Sequence, residues 1–335
     1  MRIAMDTREA HSTNPTGKGL FTKNILLELQ RRKILTEEYS GKGWRWHLET
    51  SQMVLQSKCD LYLSPTSFIV PWLLGKKVPV AIVIHDLIAF ERSPHNRKAK
   101  LIERLLLPQV LTTAKYIFCV SEATKNELIE KFPAVDRSKI SVIYEGPTLV
   151  KRESKNKQTN KPYILSIGTL SPRKNQYRLI EAFTKLPLDL QSKTKLLLAG
   201  SRGWHDEEIV DRAKHTPNVE WLGYVAESEM TELLMHATLL AYPSLKEGFG
   251  LPVLDAMAIG IPVLTSNGSS MKEIAGEAAM LVDPTSVEEI ATALETMLTD
   301  ENLRSALSAK GRERSVLFSW KRTVDVMLQE LKKSM

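Results

Sequence analysis

The stretch E-G-F-G-L-P-V-L-D at residues 247–255 decides how this chain is read. It follows an apolar run, L-L-A-Y-P-S at 239–244, that has the pattern of a buried parallel strand. It precedes A-M-A-I-G at 256–260, which reads as a short helix closed by glycine. An acid, Glu247, stands at the C-terminal end of the strand. The Gly-Phe-Gly turn behind it, with Phe249, Gly250 and Leu251, brings bare backbone close to a ligand, and a second carboxylate, Asp255, lies further along the helix. In an open α/β sheet, ligands bind at that end of the strands, where helix N-termini point their N–H groups. A ligand with hydroxyls for the carboxylates and phosphates for the N–H groups fits best, and a sugar nucleotide has both. A strand–turn–helix unit with merely solvated acids shares the pattern, so the rest of the chain has to decide.

At 335 residues and 43% apolar content the chain has room for two domains, each with its own core. No apolar run approaches the roughly 20 residues of a membrane span. The opening M-R-I-A-M-D reaches Asp6 too early for the apolar region of a signal peptide. The two cysteines, Cys59 and Cys119, lie in or beside strand-like segments and read as buried free thiols of a cytosolic protein. The net charge of +7 is lopsided: residues 1–150 hold 22 Lys and Arg against 15 Asp and Glu, whereas the remainder holds 24 against 24. A basic half suits an anionic partner such as a membrane surface, a diphosphate-bearing lipid or nucleic acid, and equally a modestly basic soluble face. No zinc-ligand spacing, ribonucleoprotein signature or basic heptad region accompanies it, so nucleic acid is not expected.

In chain order, a first strand at residues 2–5 leads through a polar loop to Gly17-Lys18-Gly19 and a helix over residues 20–32. Residues 33–58 are poorly patterned and read as irregular. Strands follow at 61–63 and 78–84, the latter ending in His85-Asp86 at its C-terminal tip. Arg92, Arg97, Lys98, Lys100 and Arg104 gather at the start of a helix reaching residue 113, with Leu101, Leu105 and Val110 expected to face inward. Strands at 116–120 and 140–144 close the half, with Ser121 capping the helix between them. Residues 151–161, without an apolar side chain, read as a linker. A second alternating array follows, with strands at 163–167, 195–199, 219–222, 239–242, 262–265 and 279–282, and Ser286-x-x-Glu289 as a capping box. The expected fold is α/β: two Rossmann-like doubly wound parallel-sheet domains, 1–150 and 162–318, with a terminal segment at 319–335 that crosses back to the first.

These residues resemble a known family over nearly the whole chain. The carrying motifs are G-K-G-L-F-T-K-N at 17–24, V-I-H-D-L at 83–87, C-V-S-E-A-T-K at 119–125, S-I-G-T-L-S-P-R-K-N at 166–175, L-L-A-G-S at 197–201 and E-G-F-G-L-P-V-L-D-A-M-A-I-G-I-P-V at 247–263. The chain is similar to the retaining glycosyltransferases of family 4, which have the GT-B fold. The resemblance implies a GDP- or UDP-linked sugar donor bound mainly by the C-terminal domain, with a glycan or lipid-linked acceptor on the N-terminal side and mannose as the leading candidate sugar. By motif, Arg173 and Lys174 would hold the diphosphate, Glu247 the sugar hydroxyls and Asp255 the ribose, while His85 would meet the donor sugar. Gly17 and Gly19 would let a loop approach the diphosphate, and Gly200 and Tyr224 would meet the base. The usual E-x7-E ends here in Asp255, one methylene shorter.

Retention with no convincing pair of carboxylates points, by the same resemblance, to front-side attack. No D-x-D occurs in the chain, so no metal or other cofactor is expected to assist. The competing readings are a sugar-nucleotide epimerase or hydrolase on the same architecture, and an inactive sugar-nucleotide-binding subunit. The expected location is cytoplasmic, with the basic half offering a peripheral contact to the inner face of the plasma membrane.

Overall fold

Two six-stranded parallel sheets, each flanked by helices, make up the part of the chain that the computed structural model describes, residues 1–12, 16–91, 97–149 and 161–333. The first sheet contains β1 (Arg2–Asp6), β2 (Leu35–Tyr39), β3 (Leu61–Ser64), β4 (Val80–Ile84), β5 (Tyr116–Cys119) and β6 (Ile140–Val142) in the order β2-β1-β3-β4-β5-β6. The second contains β7 (Tyr163–Ile167), β8 (Lys195–Ala199), β9 (Val219–Gly223), β10 (Leu239–Tyr242), β11 (Val263–Ser266) and β12 (Met280–Val282) in the order β12-β11-β10-β7-β8-β9. They belong to separate compact units, Met1–Gly146 with Phe318–Met335, and Pro147–Leu317.

Central strands such as β4 and β10 are buried at every position, which is why they read as unbroken apolar runs. Helices cover both of their faces and leave no solvated side to alternate with. The order of each sheet fixes where a ligand can sit. In the second unit the chain builds outward from β7 to β9, then returns to lay β10 on the other side of β7. The reversal opens a crevice at the C-terminal ends of β7 and β10, the position at which doubly wound sheets bind ligands. In the first unit the equivalent reversal lies between β1 and β3.

Residues 33–58 depart from expectation: they hold β2 and a helix, Arg45–Gln56. β2 is an edge strand, L-T-E-E-Y, paired only with β1, so it never needs an apolar run. The helix buries Trp46, Thr50, Ser51 and Val54, so a single aromatic and three small side chains carry its core face. The helix Arg97–Thr113 also differs from its reading. It buries Leu107, Val110 and Leu111, whereas Leu101 and Leu105 are each 58% exposed and Ile102 is exposed beside them. Arg92 and the side chains of Arg97 and Lys98 lie outside the described residues, as does most of the 151–161 segment.

The terminal helix Trp320–Lys333 packs within the first unit. The Trp320 ring meets Phe21 edge-on at 5.7 Å, Asp325 accepts from Arg32 at 2.6 Å, and the Leu331 carbonyl accepts from Tyr116 at 3.2 Å. Ser121 caps its helix by accepting from the Thr124 N–H at 3.0 Å. Cys119 is buried and its thiol is pushed up to about 12 by that burial, which leaves it unreactive at neutral pH. Among the described residues no helix is long and apolar enough to cross a membrane.

Candidate active site

The crevice at the tips of β7 and β10 is built by one asparagine. After β7 the chain turns through a short 3-10 helix, Pro172–Lys174, and Asn175 then adopts φ 63°, a left-handed conformation that asparagine tolerates better than most residues. Its amide donates to the carbonyls of Pro243 at 2.9 Å and Pro284 at 2.6 Å. The Leu245 N–H donates to the Arg173 carbonyl at 2.9 Å. The turn after β7 is thereby fastened to the loop after β10, and Arg173 and Lys174 arrive next to Glu247.

The three side chains form one cluster. Arg173 Nη1 lies 2.7 Å from Glu247 Oε2, and Lys174 Nζ lies 2.7 Å from Oε1. Arg173 also donates to the Lys246 carbonyl at 2.7 Å. The Tyr242 hydroxyl donates to Glu247 Oε1 at 3.0 Å and accepts from Lys174, whose ammonium stands 4.8 Å from the centre of the tyrosine ring. The backbone of Glu247 is held as firmly as its side chain. Ser269 and Ser270 hydroxyls donate to its carbonyl at 2.7 and 2.9 Å, and its N–H donates to the Ser269 hydroxyl at 3.2 Å.

The Glu247 side chain is 10% exposed. Burial raises its pKa, but Lys174 and then Arg173 more than reverse that, so the carboxyl is held below its ordinary value. It is therefore ionised at neutral pH, and its contribution to stability is lost as pH falls through that depressed value. Two cations and one carboxylate leave the cluster with a net positive charge, suited to an anion with more charge than the carboxylate offers.

The rest of the 247–255 turn divides into parts that face the site and parts that support it. Gly250 begins the helix Leu251–Ile259 at φ 109°, and a Cβ there would stand 2.2 Å from Met271 Cε, so the position takes only glycine without rearrangement. Phe249 is buried in the core, so only the backbone of the turn can serve a ligand. Asp255, the residue expected to meet the ribose, is 4% exposed. One of its oxygens accepts from the N–H groups of Thr148 and Leu149 at 2.6 and 3.0 Å, the other from the Thr148 hydroxyl at 2.8 Å. These bonds fasten the segment that enters the second unit to the helix that carries the turn.

Gly200 follows β8 with its backbone engaged. Its N–H donates to the Gly223 carbonyl and its own carbonyl accepts from Trp221, both at 2.8 Å. A Cβ at Gly200 would stand 2.1 Å from the Gly168 carbonyl oxygen, and close packing of the β7 and β8 tips is what requires glycine. Tyr224, just beyond, is exposed and presents its ring.

In the first unit, Gly17 and Gly19 sit in the opening turn of the helix Gly17–Arg31 rather than in a loop, with the Thr16 hydroxyl accepting from the Gly19 N–H at 3.4 Å. His85 is nearly buried against the edge of Phe21, ring centres 4.9 Å apart. Its Nε2 is 2.9 Å from the Pro65 carbonyl, which can only accept, so Nε2 carries the proton. Its Nδ1 lies 3.5 Å from Glu145, a buried carboxylate whose pKa is raised by burial, partly offset by His85. Lys100 and Arg104 donate to the Glu91 carbonyl, and Arg104 also to that of Ala89. Among the described residues no group of three or more His, Cys, Asp or Glu is arranged to hold a metal ion.

Three contributors escape a reading of motifs: Tyr242, Asn175 and Glu145. Tyr242 counts as one more apolar strand residue, and Asn175 as the tail of an R-K-N run. Glu145 carries only the faint signal of a lone acid after a buried strand.

Residues 148–314 match the model for glycosyl transferases group 1, and residues 10–148 match that for glycosyltransferase family 4. The O-antigen chain mannosyltransferase B of Escherichia coli is 31% identical over 312 residues, covering 88% of this chain and 79% of that one. The O-antigen chain mannosyltransferase RfbU of Salmonella typhimurium is 28% identical over 230 residues, 68% and 62% of the two chains. Among solved structures, HepE of Anabaena in complex with UDP and glucose superposes with a TM-score of 0.78 at 18% identity, covering 99% and 100%. The sucrose-phosphate synthase of Thermosynechococcus elongatus superposes with a TM-score of 0.79 at 17% identity, covering 99% and 98%.

Asn175→Ala removes the bonds donated to the Pro243 and Pro284 carbonyls and the one accepted from Arg178, and places alanine in a left-handed conformation, at a cost of about 2–4 kcal/mol. Thermal unfolding should shift down by several degrees and glycosyl transfer should fall with it. A variant with unchanged Tm and turnover would show that Asn175 does not set the cluster.

Proposed function

This chain belongs to the group 1 glycosyltransferases, hexosyltransferases of the GT-B fold, and from that premise we propose that it transfers mannose with retention from a GDP- or UDP-linked donor to a glycan or lipid-linked acceptor. The observation that carries this reading is the meeting of Arg173, Lys174 and Glu247 at the tips of β7 and β10. The choice of mannose rests on the mannosyltransferase relatives.

The reaction breaks the bond between the anomeric carbon and the β-phosphate oxygen. The acceptor oxygen bonds to the same face of the carbon, and its proton passes to the departing diphosphate oxygen. The products are the glycoside and a nucleoside diphosphate. Charge builds on the diphosphate as the bond breaks, so fixed cations next to it stabilise the transition state more than the ground state. Arg173 and Lys174 take that part without a metal ion, and Glu247 accepts hydrogen bonds from the sugar hydroxyls. Tyr224 offers its exposed ring to the base. Phe249, Gly250 and Leu251 contribute backbone. Asp255 acts from behind, through Thr148.

Lys174→Ala and Glu247→Ala should each lower turnover at least ~100-fold, the loss expected for one transition-state contact, while remaining folded by circular dichroism. Turnover should be unaffected by EDTA. Near-wild-type rates in either variant, or loss in EDTA restored by Mg²⁺, would contradict these assignments.

We also propose that the enzyme works at the inner face of an anionic membrane, docked through the helix Arg97–Thr113. Exposed Leu101, Ile102 and Leu105 lie on the chain's basic half, next to Lys100 and Arg104. Insertion of apolar side chains beside cations is the usual chemistry of such docking. Co-sedimentation with vesicles containing phosphatidylglycerol, and not with pure phosphatidylcholine, should be seen and should be lost in L101E/L105E. Equal sedimentation with both vesicle types, or full binding by the double variant, would rule this surface out.

A further inference from the structure

Tyr242 is the last residue of β10, 2% exposed, and the reading above gives it no part. Its hydroxyl lies where the cluster converges: it accepts from Lys174 and donates to Glu247 Oε1 at 3.0 Å, the same oxygen that Lys174 reaches at 2.7 Å. The strand holds it in place from behind, since the Tyr242 carbonyl accepts from the Thr265 hydroxyl on β11 at 2.8 Å. We propose that Tyr242 is a positioning residue for the transfer, holding Glu247 in place when Lys174 turns from that carboxylate to the diphosphate of the donor. The inference rests on the donor grip proposed above.

The argument is one of competition. A donor diphosphate brings two negative charges to the cations that Glu247 now occupies, and it outbids a single carboxylate for them. Glu247 Oε1 then loses its ammonium partner in a site where the side chain is 10% exposed, and a buried carboxylate stripped of partners is unstable or takes up a proton. Either outcome would spoil an acceptor aimed at sugar hydroxyls. A neutral donor on a rigid strand cannot follow the phosphates away. The phenol stays in that neutral form, because burial and then the Glu247 charge hold its pKa well above the ordinary tyrosine value. Phenylalanine would fill the same volume and keep the ring under Lys174, but would leave Oε1 with no fixed donor.

The test is Tyr242→Phe, measured with the complete enzyme as kcat, donor KM and affinity for GDP or UDP, whichever the wild type binds. Loss of a hydrogen bond to a charged group predicts kcat lowered about 10- to 100-fold, with nucleoside diphosphate affinity within about twofold of wild type. If the hydroxyl acts through the carboxylate, its effect should vanish in a Glu247→Gln background, so the double variant should be no slower than Glu247→Gln alone. A kcat within twofold of wild type, or full additivity of the two losses, overturns the inference. Lys174→Ala separates it from its premise. Unchanged nucleoside diphosphate affinity in that variant would remove the donor grip itself. Lost affinity there, with normal kcat in Tyr242→Phe, would remove the role of Tyr242 alone.

Discussion

Glu247 is a carboxylate held where water barely reaches it, and the second unit is arranged around keeping it ionised. Burial alone would favour the protonated acid. Lys174 and Arg173, each at 2.7 Å, reverse that preference and in turn are held by it. None of the three is stable there alone, since removing one partner of such a buried pair typically costs about 3–5 kcal/mol. The cluster is therefore a preassembled site with excess positive charge, its cations parked on an internal counter-charge until a stronger anion arrives. Preorganisation of this kind is what lets fixed charges act on a transition state without reorganising first.

The fold supplies the placement. Reversal of strand order between β7 and β10 brings two loops together that are some seventy residues apart in the chain, and Asn175 fastens one to the other through Pro243. Tight glycine turns at Gly168 and Gly200 let the strand tips close up behind them. Asp255 bonds through both oxygens to Thr148 and Leu149, which sets the start of the unit against the helix that carries the turn. Rigidity at the back of the site thus comes from residues that need not touch a ligand.

What could be read in advance follows from how each residue earns its place. Fully buried strands such as β4 and β10 announce themselves because helices cover both faces, and the 247–255 turn does so because glycine and an acid must fall in a fixed order. β2 stayed hidden because an edge strand needs no apolar run. In the helix Arg97–Thr113, Leu101 and Leu105 have the spacing of a core face and yet are exposed, because the buried face is carried by Leu107, Val110 and Leu111. At Asp255 the motif position matches, but its partners in the fold, the Thr148 hydroxyl and the Thr148 and Leu149 N–H groups, lie more than a hundred residues away and are not written in the motif. Tyr242 and Asn175 were illegible for the same reason, since their importance lies in partners far away in the chain.

The most direct test of this account is the affinity of free GDP and UDP for Glu247→Gln, measured by titration calorimetry beside the wild type. Free nucleoside diphosphates carry no sugar, so contacts of Glu247 with sugar hydroxyls do not enter. If Glu247 is the resting counter-charge of Arg173 and Lys174, its neutralisation frees both cations, and the nucleoside diphosphate should bind several-fold tighter even though transfer is slowed. Weaker binding by the variant would mean that the cations need Glu247 to be held in place for the phosphates, and the picture of a displaceable internal anion would be wrong.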